Sequence, residues 1–175
     1  MPGVIANAST LINLAAIGHL SLLKEFHTMI AIPTAVWQEV VDEGAGKPGC
    51  QEVEAAQQAG WLEVLEPHNR ELVTLLEQQV DRGEAEAIAL GIERQADLVF
   101  LDESDARNLA EVYRLSKSGV IGILIRAKLL KVIPLLKPEL DRLREEAGFW
   151  IDEALYKRAL QEVGEFGHES ASSSL

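Results

Sequence analysis

The chain carries a single cysteine, Cys50, among 175 residues, which excludes a disulfide framework and a thiolate metal site. Long apolar runs are missing too. The longest, such as Val120-Ile121-Gly122-Ile123-Leu124-Ile125, are far too short to cross a bilayer. The first residues, Met1-Pro2-Gly3-Val4-Ile5, lack the basic segment and apolar core of a secretory signal, so a cytoplasmic location without membrane attachment is expected. The histidines (His19, His27, His68, His168) show no metal-ligand spacing. Ser9, Ser104 and Ser118 have no base at motif spacing, and neither a G-x-S-x-G turn nor a phosphate-cradling glycine loop occurs.

Positive charge is also scarce. Sixteen Lys and Arg face 28 Asp and Glu, a net charge of −12, where nucleic-acid binders are usually basic. The imbalance is uneven, however. Residues 114–144 hold eight basic side chains (Arg114, Lys117, Arg126, Lys128, Lys131, Lys137, Arg142, Arg144) against Glu139 and Asp141. Residues 34–66 hold seven acids against Lys47. Solvated helix faces account for most of these charges, yet an acidic site beside a basic surface also suits a metal-dependent nuclease, because the metal offsets local repulsion.

What is present is a hydrophobic content of 47% and a length that fits one domain. A single domain over 1–165 is expected, with a disordered Ser-rich tail at 166–175. Short apolar runs at 4–6, 29–32, 61–65 and 98–101 predict strands, with a weak edge strand at 115–118. Helical spacing predicts helices over 9–17, 20–26, 34–41, 51–58, 69–79, 83–95, 105–114, 120–131, 138–146 and 151–163, Ser9 capping the first. Strands alternating with helices make an α/β fold with a mostly parallel sheet. Ligands in such sheets bind beyond the carboxyl ends of the strands, near the point where strand order switches.

The residues to weigh are therefore those at strand ends. Asp102 follows Leu98-Val99-Phe100-Leu101. It either caps the next helix or presents a carboxylate at the sheet edge. Glu84 opens a helix of small residues, where an acid is favoured by the helix dipole but can also approach another backbone. Glu86, two residues on, faces elsewhere. Glu39 lies in the helix after the second strand. Asn7 ends the first strand, as a turn or cap residue or as a neutral oxygen ligand. Glu103 and Asp105 read first as helix-start charges.

In order along the chain, Ile5-Ala6-Asn7-Ala8-Ser9-Thr10-Leu11-Ile12-Asn13-Leu14, Ile32-Pro33-Thr34-Ala35-Val36-Trp37-Gln38-Glu39-Val40, Gly83-Glu84-Ala85-Glu86-Ala87-Ile88-Ala89-Leu90, Leu101-Asp102-Glu103-Ser104-Asp105-Ala106-Arg107, and Gly119-Val120-Ile121-Gly122-Ile123-Leu124-Ile125-Arg126-Ala127-Lys128 together resemble the PIN-domain superfamily, in its DUF3368 branch related to VapC-type toxins. The Gly148-Phe149 segment fits as well. The resemblance implies a three-layer α/β/α domain with Mg²⁺ or Mn²⁺ at Asn7, Glu39, Glu84 and Asp102, and Asp105 or Glu103 in support. It implies a metal-dependent toxin ribonuclease acting on RNA, with Asp102, Glu84 and Glu39 as catalytic acids, an antitoxin partner and a homodimer. Carboxylates suit a hard, oxygen-seeking ion.

One position departs from the pattern: Asn7 stands where the family has Asp, so the four-residue site carries −3 rather than −4. A non-catalytic PIN-like module binding RNA or protein through its basic C-terminal half is the alternative. A receiver-like signalling domain is a third reading and ranks last, because it needs a lysine ending a late strand and Lys117 is a poor candidate. Repulsion among clustered carboxylates would leave Asp102→Ala as stable as the parent, or more so.

Overall fold

The computed structural model describes residues 3–166; most of the Ser-rich tail, 167–175, lies outside the described residues. The chain divides into two compact units, one ending at Val120 and one beginning at Ile121.

The first unit is built on five strands: β1 (Val4–Ala6), β2 (Ile30–Pro33), β3 (Leu62–Leu65), β4 (Leu98–Phe100) and β5 (Lys117–Ser118). They lie in the order β3-β2-β1-β4-β5, and every pairing is parallel. Each residue of β1 and β2 is buried, which requires cover on both faces of the sheet and explains why these runs are apolar without alternation. The flanking helices are α1 (Ala8–Ala16), α2 (Ser21–Phe26), α3 (Thr34–Trp37), α4 (Cys50–Gln58), α5 (Arg70–Leu76), α6 (Arg82–Arg94) and α7 (Ser104–Val112). The expected α/β architecture with a parallel sheet is the observed one. The core gathers Ile5, Ala31, Val99 and Leu101 with Ala85, Ile88 and Ala89 of α6.

Strand order reverses beside β1. The chain runs outward through β2 and β3, then returns to place β4 on the other side of β1. The crevice at a switch point opens beyond the carboxyl ends of the two strands. Asn7 and Asp102 follow those ends.

Three local differences from expectation bear on the site. The first helix begins at Ala8 with Asn7 in the N-cap position, so Ser9 lies inside the helix and not at its cap. The helix after β2 stops at Trp37 and continues as a five-residue π-helical turn, Gln38–Asp42, closed by Glu43 N donating to Gln38 O. Such wide turns concentrate at functional sites, and this one carries Glu39. The edge strand shortens to Lys117–Ser118, because Leu115 packs against the core instead.

The second unit holds most of α8 (Val120–Leu129), with α9 (Lys137–Glu145) and α10 (Glu153–Glu162). Leu140 and Leu143 of α9 and Tyr156, Ala159 and Leu160 of α10 are buried. Tyr156 Oη donates to Asp141 at 2.6 Å, and the Arg144 guanidinium lies 4.1 Å from the centre of the Tyr156 ring. Leu136 N and Lys137 N both donate to the Glu165 carboxylate, which places an acid at the start of α9 as the helix dipole favours. Among the described residues no helix is long and apolar enough to cross a membrane.

Candidate metal centre at the sheet edge

Asp102 sits two residues beyond β4 and is held by three donors. Thr10 Oγ1 donates to Oδ2 at 2.6 Å and Ser9 Oγ to the same oxygen at 3.4 Å. Val120 N donates to Oδ1 at 2.9 Å. A side chain on Gly119 would run into Oδ1, so only glycine lets the backbone pass there. Burial pushes the Asp102 carboxyl up, while the bonds from Thr10 and Val120 and the nearby Arg107 guanidinium pull it back. The capping role expected for Asp102 takes a different form. The N-cap of α7 is Glu103, whose side chain caps nothing, and Asp102 instead receives the first N–H of α8.

Asn7 is buried, 3% exposed, and occupies the N-cap of α1 without a side-chain capping bond. Its Oδ1 has no hydrogen-bond partner at all. A buried acceptor left in this state costs about 1–3 kcal/mol, so cap chemistry does not explain the residue. A Cβ on Gly83 would lie 3.4 Å from each of Asn7 Oδ1, Glu39 Oε2 and Val36 Cγ2. The glycine at the start of α6 thus leaves a place that an oxygen after β1 and one on the π-helical turn both border.

Glu84 follows directly. It forms a reciprocal cap with Asp81: Glu84 N donates to Asp81 Oδ1 at 2.8 Å, and Asp81 N donates to Glu84 Oε2 at 3.1 Å. Burial pushes its carboxyl up to about 7, and the charges of Asp81, Glu103 and Glu39 push the same way against the backbone bond from Asp81. Glu39 is raised as well, first by burial and then by Asp81 and Glu43. Burial is the larger cause at both Glu39 and Glu84, and the charge of Asp81 adds to it at each; raised carboxyls of this kind are characteristic of functional sites.

The residues singled out by sequence thus fall into two adjoining groups. Asn7 and Glu39 border the position beside Gly83, and Glu84, the next residue, feels the charge of Glu39. Asp102 is tied to α1 through Ser9 and Thr10, the second and third residues after Asn7. Asp105 lies exposed in the first turn of α7 beside Gln79, Asn108, Leu109 and Val112. Among the described residues no three His, Cys, Asp or Glu side chains stand in metal-holding geometry. The donor set nonetheless suits a hard cation: it is all oxygen, and it includes the unspent Oδ1 of Asn7.

Sequence reasoning missed Thr10 and Asp81. The Asp81-x-x-Glu84 spacing is a capping-box signature and could have found the second; nothing local marks Thr10. Glu86 does face elsewhere, but it is fully buried and busy. It accepts from Thr34 Oγ1 at 2.8 Å and from Ala35 N at 3.3 Å, fixing the start of α3 after β2. The small residues around it, all buried from Gly83 to Gly91, are what let a carboxylate reach that far inside.

The basic stretch offers less open positive surface than its composition suggests. Lys117 pairs with Glu111, Lys137 with Asp141, Arg142 with Glu139 and Glu146, and Arg144 with Glu153.

No curated protein matches the chain. A family model described as DUF3368, a PIN domain, matches residues 3–165.

Proposed function

The chain belongs to this PIN-domain family, a nuclease-type superfamily, and from that premise we propose that it is a divalent-metal-dependent ribonuclease of the toxin–antitoxin kind. The observation that carries the proposal is the buried, unpartnered Oδ1 of Asn7 facing the same open position as Glu39 Oε2. Asn7, Glu39 and Glu84 would hold Mg²⁺ or Mn²⁺. Asp102, whose three hydrogen bonds leave one lone-pair site on its carboxylate, would complete the set. A cation held there would polarise a phosphoryl oxygen and make bound water a nucleophile near neutral pH.

The protein's own groups do the rest. Thr10, Ser9 and Val120 N fix the rotamer of Asp102, so the carboxylate needs no reorganisation when a substrate arrives. Glu84 keeps Oε2 on the Asp81 amide and leaves Oε1 free for the cation. Its carboxyl, raised to about 7 without metal, would give up its proton when a cation binds. Gly83 keeps the space between Asn7 and Glu39 free. RNA as substrate, an antitoxin as partner, a homodimer and a cytoplasmic setting are part of the same proposal, carried over from the resemblance to VapC-type toxins.

Calorimetric titration with Mn²⁺ tests the site. Binding to the parent chain that is lost in Glu84→Gln and in Glu39→Gln supports it; equal binding by all three refutes it. A second reading rests on one observation, the neutral amide of Asn7 in place of a carboxylate. In that case the chain is a PIN-like binding module without activity. RNA cleavage by Asn7→Asp but not by the parent chain would establish it.

A further inference from the structure

Arg70 opens α5 and Arg82 opens α6, and both guanidinium groups reach the same buried carboxylate. Arg70 Nη1 lies 3.7 Å from Glu86 Oε1, and Arg82 Nε lies 3.4 Å from Glu86 Oε2. The Glu86 side chain is 0% exposed, whereas those of the arginines are 44% and 58% exposed. Two forks with five donors each thus share one anchor and turn their remaining donors to solvent. Their summed charge with Glu86 is +1, in a chain of net charge −12.

The placement is constructed at both ends. Glu93, seven residues and so two turns along α6 from Glu86, accepts from His68 N at 3.1 Å and Asn69 N at 2.6 Å. Asn69 Oδ1 then accepts from Leu72 N. Two carboxylates on one face of α6 therefore hold the start of α5, and Arg70 with it. Stability gives little reason for the arrangement. Cations in the first turn of a helix oppose its dipole, and exposed ion pairs contribute little.

Position gives a reason. Arg82 immediately precedes Gly83 and Glu84, and Glu86 is bonded to Thr34 at the end of β2. Arg70 follows the end of β3. Both arginines therefore stand on the acidic edge of the sheet, on its β2–β3 side. We infer that Arg70 and Arg82 form a phosphate clamp that binds the backbone of a single-stranded RNA flanking the scissile bond, preset by Glu86; this rests on the nuclease reading above. Arg is suited to the task because its planar fork matches phosphate oxygens in pairs. The clamp also resolves how an acidic protein can hold RNA: positive charge is concentrated at one point beside the metal centre, not spread over the surface.

The test is fluorescence anisotropy of a labelled single-stranded RNA with the full chain in Ca²⁺, with Mn²⁺-dependent cleavage run alongside. Arg70→Gln and Arg82→Gln should each weaken binding by about tenfold and lower the steepness of the salt dependence by about 0.7 for each phosphate no longer held. Because a single substitution leaves Glu86 less well paired, the double variant Arg82→Gln/Glu86→Gln must lose at least as much binding as Arg82→Gln, with an unfolding temperature close to the parent's. Variants that bind as the parent does, while the parent still cuts, overturn the clamp and leave the nuclease reading standing. A parent chain that neither binds nor cuts RNA overturns both.

Discussion

Thr10 and Asp102 are joined by a 2.6 Å hydrogen bond between a hydroxyl and a carboxylate 92 residues apart. The bond ties the helix after β1 to the end of β4, the two elements that bound the switch-point crevice. Asp102 is therefore a structural joint before it is anything else. Clustered carboxylates alone would suggest that Asp102→Ala relieves repulsion. The geometry corrects this: the substitution strands the Thr10 hydroxyl and the Val120 amide, both inside the fold. It should cost about 1–3 kcal/mol in chemical denaturation.

Thr10→Val separates the two roles. It keeps the shape of the side chain and removes only the donor to Oδ2. Hydrogen bonds to charged groups contribute about 1.5–3 kcal/mol, so unfolding should shift by that much. Cleavage should fall by about tenfold or more, through loss of a fixed carboxylate. Thr10→Ser should restore both; an unchanged stability in Thr10→Val would show the bond to be idle.

Gly83→Ala should move stability and metal affinity in opposite directions. Alanine is favoured over glycine in a helix, by less in the first turn than the about 0.5–1 kcal/mol of an interior position, and the added methyl meets its neighbours at ordinary van der Waals distance. It would nevertheless occupy the gap between Asn7 Oδ1 and Glu39 Oε2. Thermal unfolding should hold or rise while Mn²⁺ affinity drops by about tenfold, or about 1.4 kcal/mol. Retained affinity would place the metal elsewhere.

Glu84 sets a pH dependence whose sign is fixed. Its folded-state carboxyl is raised to about 7 from 4.5, so proton binding favours the folded chain. The contribution is fully present below about pH 4.5 and is lost as pH rises through 7. The metal-free protein should lose stability over that window, and Glu84→Gln should flatten the loss. Mn²⁺ should stabilise the parent more at pH 8 than at pH 6, since the metal competes with the proton. Denaturation curves across pH with EDTA or Mn²⁺ measure both effects.

Asn7→Asp should strengthen Mn²⁺ binding by roughly tenfold, about 1.4 kcal/mol. In EDTA the same variant should be less stable than the parent, because it adds a carboxylate beside Glu39. Calorimetry and unfolding of one protein sample report both changes. Equal affinity in parent and variant would mean that Asn7 does not face the cation.

The sheet was legible in the sequence because burial on both faces leaves apolar runs such as Val4–Ala6 with no alternation. Asn7 and Asp102 were legible for the same reason, as the first polar residues after such runs. Glu39 was named but its setting was not, because a π-helical turn differs from an α-helix by one hydrogen-bond step that propensity does not register. Thr10 could not be seen: its partner is remote in sequence, and a threonine inside an apolar helix looks like filler. The direction of Glu86 could be read from helical spacing. Its ties to Thr34, Arg70 and Arg82 could not, since they depend on how three separate elements begin.

The most direct measurement is cleavage of a single-stranded RNA by the purified chain with Mn²⁺, with EDTA, and by Glu84→Gln with Mn²⁺. Hydrolysis at this edge requires cutting in the first case, none in the second, and a loss of about 100-fold or more in the third. A chain that cuts equally with EDTA, or a Glu84→Gln variant as active as the parent, would contradict it.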